Sequence, residues 1–504
     1  MIELRGVRPK DVVAGLAVPV LVYMLLAVFK FLWEFWQFKL VGLQFPSPPF
    51  HWLYGNLHLT EGYFGEKFLA TTREVVARHP RAHAFWLTPL MVGVQLSHPE
   101  TIRQLLRVST KKSEEYEHFR PWLGNGLLLS DGNVWKSRRR LITPAFHFDA
   151  LKQYVSVYNK EAEQLIEKLS EFAENGDCFE MFQHASLCTL EIILQCAFST
   201  EGMSEQTKSG YVSAIHGFGQ LQAGLDFNPI YSFFPSIYNL SPDGRKFRRL
   251  CDFTHRTADD IIKTRRQQLV RLTTGQKKTL NFLDILLKAR DEDGRGLTDV
   301  EIRQEVNIFL FAGHDTTASA LSWTLYSLAQ HPHHQDKVRE EVNGLLADKE
   351  DVTIQWDDLS RFPYLTMCLK EAMRLHSPVA RISRATKENC VIEGVNIPKD
   401  TYMGIDIYGL NHNPAVWGPD HMEFDPSRFH PDRLKDMDSH AFIPFSAGQR
   451  NCIGQNFAMN EEKVLLARLI HKFVFEVDPS RPVVKEMGIL MMARGGMWMK
   501  VTPV

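Results

Sequence analysis

One stretch, Phe445-Ser446-Ala447-Gly448-Gln449-Arg450-Asn451-Cys452-Ile453-Gly454, constrains this chain more than any other. It sets a cysteine in a glycine-flanked loop just before an apolar helical pattern (Ala458, Val464, Leu465, Leu469, Ile470), with an arginine two residues ahead of it. Backbone N–H groups at a loop-to-helix junction stabilise negative charge, so a cysteine held there can be a thiolate. A metal would stabilise it further. Glycines let a flat ligand come close to the backbone. The plain alternative is a small core hydrophobe, the usual role of a lone buried cysteine.

Composition narrows the class. A chain of 504 residues can bury a large core, and its length alone would suggest three domains. Its interior shows no Gly/Ser- or Pro-rich linker and no fixed repeat. The hydrophobic share is 44%, the charged share 23% and the net charge −1, so charge balance gives no sign of a nucleic-acid partner. The seven cysteines (Cys178, Cys188, Cys196, Cys251, Cys368, Cys390, Cys452) are an odd, scattered set without CxxC or zinc spacing. They read as mostly inert thiols in a reducing compartment.

The N-terminal region has its own character. Residues 12–29 carry no charge; Lys30 breaks the run, and Phe31, Leu32, Trp33, Phe35 and Trp36 extend it. That length suffices for a slightly short membrane span, with Trp33 and Trp36 in the interfacial belt. A cleaved signal peptide is the competing reading, but no small-residue cleavage site follows. The expectation is a retained single transmembrane helix, with residues 1–44 as anchor and flank, 45–50 as a proline-rich hinge and 51–504 as the catalytic domain. Arg5, Arg8 and Lys10 against Lys30 and Lys39 place the N-terminus weakly on the cytosolic side.

The body reads as mainly α with small β-sheets. Apolar residues recur at helical spacing over 151–175, 250–272, 299–330 and 365–375, and strand-like runs are short (84–87, 91–96, 390–395, 402–407). Residues 277–296 read as an exposed connection with a short helix. His331-Pro332-His333-His334 is read as a solvated turn, Pro332 opening the next helix, rather than a metal site.

Three further motifs carry chemistry. Phe311-Ala312-Gly313-His314-Asp315-Thr316-Thr317 lies inside an apolar helix; glycine and paired threonines there are costly, and a hydroxyl can bond back one turn and bend the helix. A satisfied polar patch is the plain alternative. Glu371-Ala372-Met373-Arg374 puts opposite charges three apart on one helix face. Trp135-Lys136-Ser137-Arg138-Arg139 sets a tryptophan and an arginine four apart.

The pattern Phe-x-x-Gly-x-Arg-x-Cys-x-Gly resembles the haem-binding loop of the cytochrome P450 superfamily, the haem-thiolate monooxygenases, and the other motifs follow in that family's order. The resemblance implies the cytochrome P450 fold, haem b, and Cys452 as the iron ligand, with Phe445 and Gly454 in the same cofactor-binding loop. Thiolate ligation favours O–O cleavage. It implies haem propionates bound by Trp135, Arg139, Arg384 and Arg450, and a structural triad of Glu371, Arg374 and Arg428. Asp315 and Thr316 are similar to the family's acid–alcohol pair, which delivers protons in a dry pocket, with Ala312 one turn away facing the haem. Lys136, Arg138 and Arg140 are extra charge, read evenly as a solvated face or as a docking patch for an acidic redox partner.

Local wording (Thr143-Pro144-Ala145-Phe146-His147-Phe148, Gly313-His314-Asp315-Thr316-Thr317, Pro444-Phe445-Ser446-Ala447-Gly448) is similar to family 4, the fatty-acid and eicosanoid ω-hydroxylases, and among them the leukotriene-hydroxylating subtype. Many family-4 members carry, where this chain has Ala312, a glutamate that esterifies a haem methyl; alanine implies a non-covalent haem. By resemblance the substrate is a fatty acid or related lipid, met by 116–128, 213–231, 307–316, 379–383 and 490–495. The chain has no GxGxxG or flavin motif. The resemblance therefore implies electrons from NADPH-cytochrome P450 reductase, with cytochrome b5 as a second donor, a luminal N-terminus and a cytosolic catalytic domain at the endoplasmic reticulum membrane. Two other readings stay open: a haem-thiolate isomerase or dehydratase needing no reductase, and a haem-binding sensor. The Asp315–Thr316 pair argues against both.

Overall fold

Thr298 shows how local sequence builds the central element. Its hydroxyl accepts from Glu301 N at 3.3 Å while Glu301 accepts from Thr298 N at 2.8 Å, a reciprocal cap that starts a helix running to Gln330, just before Pro332. In the computed structural model, which describes residues 21–504 apart from 27–28, 31–32, 34–35, 60–64, 89–90, 201, 227, 229–230, 232–234, 272–279, 291–292, 348 and 350, the main helices are these. They are α1 (Gly132–Ile142), α2 (Phe148–Asn175), α3 (Met181–Phe198), α4 (Glu205–Asp226), α5 (Pro242–Arg271), α6 (Asp299–Gln330), α7 (Pro363–Leu375) and α8 (Gln455–Lys472).

Helix α6 is apolar nearly all round and lies in the main core, packed on α3, α5, α7 and α8. Side chains such as Leu310, Leu321 and Leu325 are fully buried there, each worth about 1.5–3 kcal/mol. Gly313 permits the approach of α3: a Cβ there would lie 2.7 Å from Ile193 Cγ1 and Cδ1.

A sheet of four strands forms a second core. The strands β1 (Ala82–Thr88), β2 (Met91–Leu96), β3 (Arg381–Ala385) and β4 (Tyr402–Asp406) stand in the order β1-β2-β4-β3. Only the β2–β4 pairing is parallel. The expected strand over 390–395 is instead a hairpin, Cys390–Ile392 against Val395–Ile397. Glu393 and Gly394 turn it with φ of 53° and 76°, the two positive angles that a tight hairpin turn requires.

The N-terminal expectation is corrected. Among the described residues no helix is long and apolar enough to cross a membrane, which overturns the single transmembrane helix and, with it, the membrane-bound, endoplasmic-reticulum reading. Residues 12–20 and 27–28 of the expected span lie outside the described residues. Among the described residues of this region, 21–26, 29–30, 33 and 36–42 are helical. The later piece carries Lys39 and turns onto the four-stranded sheet, where Val41 and Phe45 are buried. A Cβ on Gly42 would meet Val92 Cγ2 at 2.6 Å. The end of the expected flank and the start of the expected hinge are therefore tied to the body of the protein.

Candidate active site

The cysteine loop is held by its own backbone. Cys452 N donates to Phe445 O at 2.8 Å, closing a turn in which Ser446 and Gly448 adopt φ of 59° and 71°. A non-glycine residue at such an angle costs about 1 kcal/mol, and this one is locked by the closure. Cys452 is exposed, yet burial raises its thiol pKa. The two facts agree if the sulfur lies deep in the molecule with one side open to an internal space. A hydrogen bond from the Gly454 backbone and the nearby Arg139 charge oppose the rise without overcoming it. Local backbone and charge are thus not enough to ionise this thiol; a metal would be. Among the described residues no three His, Cys, Asp or Glu side chains gather as a metal site. An ion on Cys452 would need its remaining donors from a ligand.

Helix α1 faces the loop. Arg139 donates to Asn451 O at 2.8 Å and to Asn451 Oδ1 at 3.0 Å, and the Arg450 guanidinium lies 4.4 Å from the centre of the buried Trp135 ring. Arg450 also reaches Thr110 O at 3.2 Å, Leu127 O at 3.3 Å and Asp131 Oδ1 at 3.3 Å. Arg384, on β3, is buried with Nε unpartnered; its Nη1 donates only to Ser383 O, at 2.8 Å. Lys112, which the sequence did not single out, joins them with its ammonium 4.2 Å from the Tyr116 ring centre. Burial, then Arg384 and Arg450, push its pKa well down, and burial with the neighbouring Arg384 and Arg139 brings Arg450 down to about 10. Arg139, Arg384, Arg450 and Lys112 converge here, with Asp131 on Arg450 and Glu115 near Lys112 as the neighbouring carboxylates. A flat ligand bearing two carboxylates, as haem does, fits this basic cluster beside the cysteine loop.

Glu371, Arg374 and Arg428 form a buried clamp. Arg374 pairs with Glu371 through Nε–Oε2 at 2.8 Å and Nη2–Oε1 at 2.7 Å, and Arg428 Nε stands 3.5 Å from Glu371 Oε1. The remaining donors tie down the loop beyond: Arg374 to Asn411 O at 2.8 Å, His421 O at 2.6 Å and Glu423 O at 3.0 Å, and Arg428 to Trp417 O at 2.9 Å and Asp420 O at 2.6 Å. Phe429 at the end of this loop packs on Phe442, ring centres 4.7 Å apart, three residues before Phe445. The clamp thus reaches the cysteine loop through packing, with no contact to its sulfur among the hydrogen bonds.

On α6 the predicted back-bonds are present: Thr316 Oγ1 donates to Ala312 O at 2.8 Å and Thr317 Oγ1 to Gly313 O at 3.0 Å. The helix stays continuous through them. Ala312 is exposed on a helix otherwise sunk in the core, as Cys452 is in its loop. Helices α6 and α8 are joined by Thr317 Oγ1 to Glu461 Oε1 at 3.5 Å and by Phe146, whose ring lies 5.5 Å from Phe309 and 6.4 Å from Phe457. Asp315 is buried, and burial raises its carboxyl pKa to about 7. Its nearest charged partner is His216 of α4, Nε2 to Oδ1 3.8 Å, too long for a hydrogen bond. Burial lowers the His216 pKa, so both groups are driven toward neutrality. His216 escaped the sequence reading because no local motif links it to a residue so far along the chain.

Arg138 departs from expectation. It is buried, pairs with Glu301 and stands 3.7 Å from Glu305 on α6, so it belongs to the interior rather than to a docking face. Lys136 and Arg140 are exposed. At the histidine cluster, Pro332 opens a helix; His331 bonds to Ser327 O at 2.8 Å and His334 to the Tyr364 hydroxyl at 2.5 Å.

A family model for cytochrome P450 matches residues 45–499. Cytochrome P450 4F4 of Rattus norvegicus is 42% identical over 474 residues, covering 91% of this chain and 90% of that one. Leukotriene-B4 omega-hydroxylase 3 of Mus musculus is 40% identical over 474 residues, again 91% and 90%, and cytochrome P450 4F12 of Homo sapiens is 41% identical over 476 residues with the same coverage. The chain belongs to the cytochrome P450 family, among homologues of the family-4 fatty-acid and eicosanoid hydroxylases. Membership brings oxidoreductase chemistry and the use of haem b at the level of the family.

Proposed function

We propose that this protein hydroxylates a C–H bond of a fatty acid or related lipid, at or near the ω end, with dioxygen and electrons from NADPH-cytochrome P450 reductase, cytochrome b5 serving as a second donor. Residues 51–504 form the catalytic domain in this reading, with 45–50 as the hinge before it. The observation that carries it is the Cys452 loop, held by Arg139 through Asn451 and flanked by Trp135, Arg384 and Arg450. Haem, when bound, supplies an iron that activates dioxygen and takes electrons one at a time.

The chain's own residues do the rest. Cys452 would be the single protein ligand to iron. Trp135, Arg139, Arg384 and Arg450, joined by Lys112, would hold the two propionates, and Phe445, Ala312 and Gly454 would line the haem site. Asp315, with its raised pKa near 7, can give and regain a proton at neutral pH, which suits an acid–base relay. The Thr316 hydroxyl lies on the same helical turn as Ala312 and can position a water at the reacting face. Glu371, Arg374 and Arg428 keep the cysteine loop in place and touch no reacting atom.

Ala312 offers only a methyl group, so the haem is held without an ester bond. Acid–organic extraction is expected to release all of it; haem left on the polypeptide would refute this. The carbon monoxide complex of the reduced protein should show the red-shifted Soret band of thiolate ligation, and an unshifted band would overturn the Cys452 assignment. Product analysis with reductase, NADPH and a fatty-acid panel tests the substrate class: no NADPH-dependent lipid oxidation would end that part of the reading.

A further inference from the structure

The N-terminal half of α5 carries arginines at 245, 248 and 249, a spacing that sets them on one face. They line a cleft of about 540 Å³ between α5 and a short helix, Arg120–Leu123, together with Pro121, Cys251, Asp252 and His255. All three arginines are exposed, and no ion pair is formed by any of them among the described residues, while Asp252 is the one carboxylate on the lining. A concave surface with three guanidiniums against one carboxylate suits an anion, and the planar fork of arginine matches a carboxylate or a phosphate through paired hydrogen bonds.

The cleft lining is linked to α6 through packed side chains. His255 Nε2 donates to Trp122 O at 2.8 Å. The Trp122 ring stacks on Phe218 with centres 4.0 Å apart and leans on Phe311 at 4.9 Å, and Phe311 precedes Ala312. One aromatic cluster therefore touches both the cleft lining, through His255, and Phe311, the residue before Ala312. Trp122 and Phe218 are each 1% exposed, so a chain passing between the two sides has to displace this stacked pair.

We infer that the Arg245–Arg248–Arg249 cleft binds the carboxylate of the lipid substrate, with its apolar chain running past Trp122 and Phe218 so that the far end reaches Ala312. The inference rests on the lipid reading above and adds the residues that fix which end of the lipid faces the chemistry. It predicts that acids bind better than uncharged lipids of equal chain length.

The test is calorimetric titration of the haem-loaded protein with palmitate and with hexadecanol, in wild type, in the triple variant R245Q/R248Q/R249Q, and in K246Q as a charge control off the cleft lining. The expected result is palmitate binding roughly tenfold or more weaker in the triple variant, hexadecanol binding unchanged within about twofold, and K246Q like wild type. The exposed positions keep folding intact, checked by circular dichroism melts, and R249E alone should reproduce part of the loss. Equal binding of acid and alcohol by wild type, or a triple variant that keeps its palmitate affinity, overturns the cleft assignment and leaves the lipid reading standing. If neither lipid binds nor is oxidised, the lipid reading fails and the cleft assignment falls with it. If the triple variant loses binding to phosphatidylglycerol vesicles but not to palmitate, the cleft is a phosphate site and the carboxylate assignment is wrong.

Discussion

Two buried clusters of charge in this protein are built on opposite principles. In the Glu371–Arg374–Arg428 clamp, the carboxylate faces two guanidiniums and most of the remaining donors meet backbone carbonyls. Around Lys112, Arg384 and Arg450, most neighbours are basic, with Asp131 on Arg450 and Glu115 near Lys112. A cluster neutralised from within suits architecture; a mostly basic one suits, in the function proposed above, an anionic ligand. Deleting a member should therefore have opposite consequences in the two places.

The largest effect is expected at the clamp. Arg374→Ala strands Glu371 in the core, and the apoprotein should lose about 3–5 kcal/mol in urea melts; a loss under 1 kcal/mol would erase the contrast between the clusters. Asp315 comes next. Its pKa is raised from 3.8 to about 7, so between those values the native state holds a proton that the unfolded chain has released, and stability falls as pH rises. Wild type should lose roughly 1.4 kcal/mol per pH unit relative to Asp315→Asn from about pH 4 to 7 and run parallel to it above. Curves parallel throughout would mean that Asp315 titrates as an ordinary aspartate. At the basic cluster the sign reverses: Arg384→Met should leave apoprotein stability within about 1 kcal/mol of wild type or raise it. The same change should weaken haem binding in spectral titration about tenfold. The smallest effect belongs to the exposed pair: Lys136→Glu with Arg140→Glu should shift stability by less than about 0.5 kcal/mol. It should slow reduction by the reductase, more so at low salt.

These clusters also separate what could be read in the sequence from what could not. The limits of α6 were legible because Thr298 caps one end and Pro332 closes the other. The Glu371–Arg374 pair was legible because the two are three residues apart; Arg428 entered only through the family resemblance. Lys112, His216 and the burial of Arg138 were not, because each depends on a partner far along the chain; Arg138 meets Glu301 across 163 residues. The segment after the apolar N-terminal run shows a further limit: read as flank and hinge, it buries Val41 and Phe45 against the four-stranded sheet. The arginine cleft was invisible for the reverse reason, since exposed arginines at helical spacing look like any solvated face until a second helix makes them concave.

The excess positive charge around Lys112, Arg384 and Arg450 has a consequence for supply. A dianion entering that space relieves repulsion that the folded chain otherwise carries, so occupancy and folding are linked by mass action. At a free cofactor concentration a hundredfold above its dissociation constant the gain is about 2.7 kcal/mol, and it is reversible if, as proposed above, Ala312 forms no ester. The lifetime of this protein in a cell should then follow the local abundance of its cofactor, scarcity showing first as faster turnover of the polypeptide.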